Sequence, residues 1–337
     1  MIISIIICTW NSAKYLPHCL SSLEAQSYRD FEVIVIDNGS KDGCVDGLTE
    51  KWPSLHLRME RWPENRGFAA ANNLGARLAQ GKWLACLNAD AFPEPDWVEQ
   101  LLGAAEKNTG FDFFSSRQIN ANASYLLDDA GDTYHISGLA LQRYHDYPAD
   151  RYGLNREEVF SACAAAALYE RDTFLLVGGF DEDFFSYYED VDLGFRLRLQ
   201  GSRCQYIPEA VVKHVGSASV GTKSEFATYH WQRNFIWTFM KNMPSSLLWK
   251  ALPAHLMANA IYLAYYIRQR QFSAALKAKT DAFRGLPYIL KKRKAIQNTR
   301  KVDPSELLRV MEKGWLQPYL VGRNTRKIRR SAQSQNP

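Results

Sequence analysis

Residues 1–43 read MIISIIICTWNSAKYLPHCLSSLEAQSYRDFEVIVIDNGSKDG, and two segments within them decide the fold. Residues 2–8 form a continuous apolar run rich in isoleucine, and residues 31–36 (FEVIVI) repeat that character. A short run without polar alternation suits a strand covered on both faces of a parallel sheet. Between the two, Leu16, Leu20 and Leu23 recur at helical spacing, with Asn11 or Ser12 as the expected N-cap. The opening run lacks a basic leader and a small-residue cleavage site, so it reads as a strand rather than a signal peptide.

The alternation continues outward. A helix to about residue 51, a strand near 55–59, a helix over 67–79 and a buried strand at 83–87 follow in turn. Strands alternating with helices predict an open α/β sheet. Ligands of such sheets lie beyond the carboxyl ends of the strands. Polar clusters fall there three times, at residues 9–11, 37–40 and 88–90, which points to a nucleotide-type pocket. From 111 to 169 the pattern weakens, with strand-like segments at 133–141 and 159–163. Beyond 227 the chain reads as helical, punctuated by Pro244, Pro253, Pro287 and Pro304.

Composition sets the limits. The 337 residues carry 41 Lys/Arg against 36 Asp/Glu, a net charge of +5. Eleven of the basic residues, with a single acid (Asp281), crowd into residues 268–301. The six cysteines form no C-x-x-C pair, and several lie in apolar runs, as expected of buried thiols in a reducing, cytoplasmic setting. No P-loop, G-x-G-x-x-G after the first strand, H-E-x-x-H or G-x-S-x-G occurs. No recognised nucleic-acid-binding module accompanies the basic tail, so no nucleic-acid partner is expected.

Three constellations carry possible chemistry. Asn88-Ala89-Asp90 closes a strand, where a carboxylate can hold a divalent cation against nucleotide phosphates; the plainer reading is a turn leading into Pro93. Residues 179–192 (GFDEDFFSYYEDVD) pack six acids among five aromatics. Glu189 and Asp190 open a helix there, where the helix dipole alone favours acids. So many carboxylates beside aromatic walls are costly to desolvate unless they serve a metal or polar substrate. His214 follows an apolar run; alone it reads as structural, and beside a carboxylate it suits a mixed metal site.

The order of these segments resembles the inverting family-2 glycosyltransferases of the GT-A fold, in particular the rhamnosyltransferase-like branch. The resemblance rests on SIIICTWNSAKYLPHCLSSLEAQSY (4–28), FEVIVIDNGSKDG (31–43), ENRGFAAANNLGARLAQGKWLACLNAD (64–90), GGFDEDFFSYYEDVDLGFRLRLQG (178–201) and AVVKHVGSAS (210–219). It covers roughly residues 1–220. It implies a Rossmann-like open mixed sheet with flanking helices, binding a dTDP- or UDP-sugar such as dTDP-rhamnose. Thr9, Asn11 and Asp37 would hold the nucleoside, and Asn65, Arg66 and Gly67 the base and ribose side. Asn88 and Asp90 would stand for the Asp-X-Asp motif, Asp90 and His214 holding Mn²⁺ or Mg²⁺. Glu189-Asp190 matches the acceptor-side Glu-Asp motif, with Asp190 as general base. One departure is that the first motif position is Asn88 rather than Asp, which removes one carboxylate.

The sequence thus divides into a nucleotide-sugar-binding and catalytic domain over 1–225, a basic helical region over 226–330 and a flexible end at 331–337. Residues 251–267 are apolar but too short to span a bilayer, and basic residues follow them. That pattern reads as an interfacial helix on an anionic leaflet, which would suit a lipid-linked or other glycan acceptor. Its rival is a helical subdomain packed on the core with a solvated basic face. The competing functional reading is a catalytically silent nucleotide-sugar or glycan-binding module.

Overall fold

The computed structural model describes residues 2–107, 110–216 and 224–314. The expected flexible end and part of the 210–219 segment lie outside these residues. The strands, in chain order, are β1 (Ile3–Thr9), β2 (Phe31–Asp37), β3 (Leu57–Arg61), β4 (Trp83–Asn88), β5 (Ala91–Pro93), β6 (Phe113–Asn120) and β7 (Leu127–Asp129). They continue as β8 (Asp132–His135), β9 (Ala140–Gln142), β10 (Glu157–Val159), β11 (Ala166–Glu170), β12 (Cys204–His214) and β13 (Met311–Glu312). The first helices are α1 (Leu16–Glu24), α2 (Leu48–Lys51), α3 (Phe68–Leu78), α4 (Trp97–Lys107), α5 (Arg171–Leu176) and α6 (Glu189–Leu199). The C-terminal ones are α7 (Glu225–Asn242), α8 (Ser245–Arg268), α9 (Phe272–Arg284), α10 (Leu286–Thr299) and α11 (Pro304–Val310).

The main sheet runs β10-β12-β6-β11-β4-β1-β2-β3, with β5 on β12 and β7 on β6. It is the expected open, mixed α/β sheet. β1 is parallel to both β2 and β4, while β11 is antiparallel to β4 and β6. Successive side chains of β1 point to opposite faces. Ile3, Ile5 and Ile7 enter a core with Leu16, Leu20 and Trp97, while Ile6 enters the opposite one with Ala71 and Leu84. This two-sided burial explains the isoleucine-rich run, broken only by Ser4, whose hydroxyl donates to Glu32 at 2.6 Å.

The register sets the site. Thr9 pairs with Asp37 and Cys8 with Asn88, so the three polar clusters emerge at one edge of the sheet. A third core joins Tyr134, Phe160, Phe184 and Phe195 to Phe235, Phe239, Ala258, Ala282 and Ile289 of the C-terminal helices.

Three local expectations change. α1 begins at Leu16 after Tyr15 rather than at an Asn11 or Ser12 cap. Asn11 has φ +50°, and its side chain accepts the Lys41 N–H instead. Residues 133–141 form the hairpin β8–β9 rather than one strand. The strand sought at 159–163 ends at Val159, because Phe160 N–H and Ser161 O pair with Asp132 outside the main sheet.

Candidate active site

The ends of β1 and β2 are bolted together by polar side chains. Thr9 and Asp37 are fully buried, and Thr9 O accepts the Asn38 N–H at 2.8 Å. The Thr9 hydroxyl stands 3.8 Å from Cys44 Sγ. Asn11 N–H donates to Ser40 Oγ at 2.9 Å, and Ser40 N–H donates to Asp37 Oδ1 at 2.9 Å. Arg61 Nε lies 3.0 Å from Asp37 Oδ2 as an ion pair, off the line of a directed hydrogen bond.

Asn38 then carries this order to the next loop. Its amide nitrogen donates to Asn65 Oδ1 (2.9 Å) and Gly67 O (3.1 Å), and its Oδ1 accepts the Arg66 N–H (2.8 Å). The Arg66 guanidinium lies over the Trp62 ring, 5.1 Å from its centroid. Gly67 has φ +90°, and a Cβ there would meet Phe185 O at 2.7 Å. Only glycine allows this approach, which lets Phe68 N–H donate to Phe185 O at 2.8 Å.

Beyond β4, His214 is the hub. The antiparallel pairing of β5 and β12 sets it opposite Ala91, next to Asp90. His214 Nδ1 bonds Asp128 Oδ2 at 2.8 Å, while Nε2 lies 3.5 Å from Asp90 Oδ1 and 3.4 Å from Asn88 Nδ2. Burial would depress the imidazole, but Asp128 and Asp90 outweigh it and push its pKa up to about 10.

A carboxylate holding one ring nitrogen while the other faces a second carboxylate is the usual outer-shell arrangement of a metal-bound histidine. Among the described residues no three His, Cys, Asp or Glu side chains gather into a full metal cage. An imidazole beside a carboxylate suits an Mn²⁺-like ion whose shell is completed by phosphate and water. Asp90 and His214 fit such an ion.

Glu189 and Asp190 open α6 on the other side of the same strand end. Asn88 N–H donates to Ala165 O at 2.9 Å, and Ala164 N–H donates to Asp190 Oδ2 at 3.2 Å. Adjacent residues of one turn therefore join the end of β4 to Asp190. Burial raises the Cys8 thiol, and the nearby charges of Asp37 and Glu189 add to that rise. Burial raises Asp190 above the ordinary carboxylate value. Burial, then Asp190, raises Glu189 well above it, and Glu189 Oε2 has no hydrogen-bond partner among the described residues.

Of the remaining acids of residues 179–192, Asp181, Asp183 and Asp192 answer to the tail, while Glu182 accepts a bond from Asn73 of α3. Lys241 Nζ lies 2.7 Å from Asp192 Oδ1, and Arg196 Nε 2.8 Å from Asp192 Oδ2. Lys241 and Lys292 both pair with Asp181, and Lys292 also pairs with Asp183. Desolvation of these acids is thus offset by lysines of α7 and α10.

The structure brings the expected residues to one edge, although Thr9 and Asn11 spend their side chains on holding loops. Sequence reasoning passed over Asn38, Asp128 and Asp129. Asn38 was legible only as part of a turn, and Asp128-Asp129 only as a polar pair. Asp129 is fully buried; burial, Asp128 and Asp190 push its pKa up to about 8.

The chain is similar to several known glycosyltransferases. N-acetylglucosaminyl-diphospho-decaprenol L-rhamnosyltransferase of Mycobacterium tuberculosis is 26% identical over 304 residues, covering 77% of this chain and 94% of that protein. The putative glycosyltransferase EpsH of Bacillus subtilis is 30% identical over 151 residues, 44% of this chain but 41% of EpsH. The chain spans 17% of the O-antigen biosynthesis protein RfbC of Myxococcus xanthus.

Two solved structures share the fold. The mannosyltransferase PcManGT of Pyrobaculum calidifontis, in complex with GDP-Man and Mn²⁺, superposes with a TM-score of 0.55 at 21% identity, over 88% of this chain and 85% of that one. S. aureus TarS 1–349 with UDP-GlcNAc gives 0.56 at 15% identity, over 88% of each chain. Residues 4–174 match glycosyl transferase family 2, and the chain belongs to that family.

Proposed function

We propose that this chain transfers a sugar from a nucleoside-diphosphate donor to a hydroxyl of a glycan or lipid-linked acceptor, with inversion at the anomeric carbon. The observation that carries the reading is the shared turn: Asn88, at the head of the Asn-Ala-Asp motif, bonds Ala165, and Asp190 bonds Ala164. Donor phosphates and a proton acceptor could thus meet across a single turn. The similarity to the mycobacterial enzyme favours a rhamnosyl donor and a lipid-linked saccharide acceptor.

In this reading the strand-end loops hold the nucleoside. Asp37 and the Asn65–Gly67 backbone, fixed by Asn38, define its edge. Asp90 and His214 would hold a divalent cation, which supplies charge neutralisation to the donor diphosphate when bound. Asp190 takes the acceptor hydroxyl proton as that oxygen bonds to the anomeric carbon. The bond from that carbon to the phosphate oxygen breaks, and the nucleoside diphosphate leaves with the electron pair. General-base help of this kind is worth about 10²–10⁴ in rate.

The test is a panel of dTDP- and UDP-sugars with and without Mn²⁺, followed by NMR of the product's anomeric configuration. One donor turned over with inversion supports the reading. Metal-dependent binding without turnover would favour the silent binding module, and retention would exclude single displacement.

A further inference from the structure

The C-terminal helices expose an apolar face that the protein core leaves uncovered. α8 packs Leu247, Leu248, Ala251, Ala254 and Ala258 inward. Its opposite side presents Trp249, Leu256 and Ile267 to solvent, at helical spacing. α9 repeats the arrangement, with Ala275, Ala278 and Ala282 buried and Phe272, Leu276 and Phe283 exposed. Of the 16 exposed large hydrophobic residues among those described, 11 lie on α8, α9 and α10. Scattered single hydrophobes are ordinary on a surface; this concentration marks an interaction site.

The charge around this face selects the occupant. No Asp or Glu occurs from residue 226 to residue 280. Arg268, Arg270, Lys277, Arg284, Lys291 and Lys294 are all exposed. Three other basic residues of the tail turn inward. Lys279 bonds Gln232 and Asn259, Lys292 bonds Asp181, and Arg293 bonds Met240 O. Apart from Arg284, which also pairs with Asp281 at 3.3 Å, the exposed charge is what remains after internal pairing.

A second copy of the chain would bring two positive rims together in a two-fold interface, which repels. Nucleic acid would match the charge but offer nothing apolar to cover Phe272, Leu276 and Phe283. An anionic bilayer matches both features, since acyl chains receive the apolar side and headgroups the cations. No helix among the described residues is long and apolar enough to cross a membrane. α8 also has one side committed to the core, so the contact lies in the plane of the surface.

We propose that the exposed faces of α8 and α9 dock on an anionic lipid bilayer. Trp249, Leu256, Phe272, Leu276 and Phe283 insert at the headgroup boundary, and the basic residues hold the lipid charge. Only the further step, that this surface presents a lipid-borne acceptor to the site, rests on the transferase reading.

The test is co-sedimentation of the full chain with vesicles of phosphatidylcholine alone or with added phosphatidylglycerol, at low and high salt. Expected is binding to the anionic vesicles only, weakened by salt. Leu256→Glu with Phe272→Glu and Phe283→Glu should reduce binding at least about tenfold by placing three charges in the apolar layer. Lys277→Gln with Arg284→Gln and Lys294→Gln should weaken binding and flatten its salt dependence. Absence of anionic-vesicle binding, or binding indifferent to the glutamate substitutions, overturns the proposal. So does a stable dimer in light scattering that Leu256→Glu dissolves. Donor hydrolysis measured without vesicles separates the two claims, because a protein that binds vesicles but turns over no donor refutes the transferase reading and leaves the docking face standing.

Discussion

The side-chain amide of Asn234 donates to Tyr187 O at 2.7 Å and to Phe184 O and Ser186 O at 3.0 Å each. One buried residue of α7 thus grips the loop that delivers Glu189 and Asp190. That loop needs gripping: Phe185, Tyr187 and Tyr188 have φ of +66°, +68° and +70°. Non-glycine residues in this region cost on the order of 1–3 kcal/mol each. Arg233 adds bonds to Asp183 O and Phe184 O. The helical tail is in this sense part of the site.

Replacing Asn234 therefore tests positioning. Asn234→Ala removes the donor and should lower transfer by up to about 10²-fold, the scale of a small misplacement of reacting groups. Asn234→Asp should do worse, because a carboxylate meets three carbonyl acceptors. Steady-state kinetics beside a donor-binding titration makes the check: kcat should fall more than donor affinity.

Lys241 is buried between Asp181 and Asp192. Lys241→Met should cost about 3–5 kcal/mol in urea unfolding, the scale of breaking a buried pair. Burial alone would raise Asp181, but Lys241 and Lys292 outweigh it and hold it below its ordinary 3.8. The unfolded chain then takes up that proton first as pH falls, so this contribution is present above about pH 4 and lost below it. The substitution should flatten that acid limb of stability.

Burial raises both Glu189 and Asp190 above the ordinary carboxylate range, and the charge of Asp190 adds to the rise of Glu189. Transfer should fall on acidification at a pH above the 3.8 of an ordinary aspartate, because the base must be ionised. Glu189→Gln imitates the protonated carboxyl and should leave that limb in place in a pH–rate profile. A displaced limb would mean that Glu189 shares the titration.

Asp128 holds His214 Nδ1 and touches no phosphate in this account. Asp128→Asn should weaken Mn²⁺ binding about 10–100-fold, as loss of an outer-shell partner does. Calorimetric titration of Mn²⁺ with the nucleoside diphosphate present reads this directly.

Much of this was legible in the sequence because burial writes itself into composition. The runs at β1 and β2 are apolar on both faces, and the residues that end them carry the site. Short strands after residue 111 were harder, since β7, β8 and β9 hold only three or four residues each and no period develops. His214 was readable beside Asp90, but its partner Asp128 comes from a strand 86 residues earlier that pairing with β6 brings close. The acids of residues 179–192 misled in a different way: six looked poised for a ligand, yet Asp181, Asp183 and Asp192 meet Lys241 and Lys292 of distant helices. Local spacing carries no trace of such long-range neutralisation.

The most direct test of the account is Asp190→Asn, assayed for donor binding and for transfer in the same preparation. Donor affinity should stay unchanged while transfer falls by about 10²–10⁴. Transfer left at the wild-type rate would contradict it and remove Asp190 as the base.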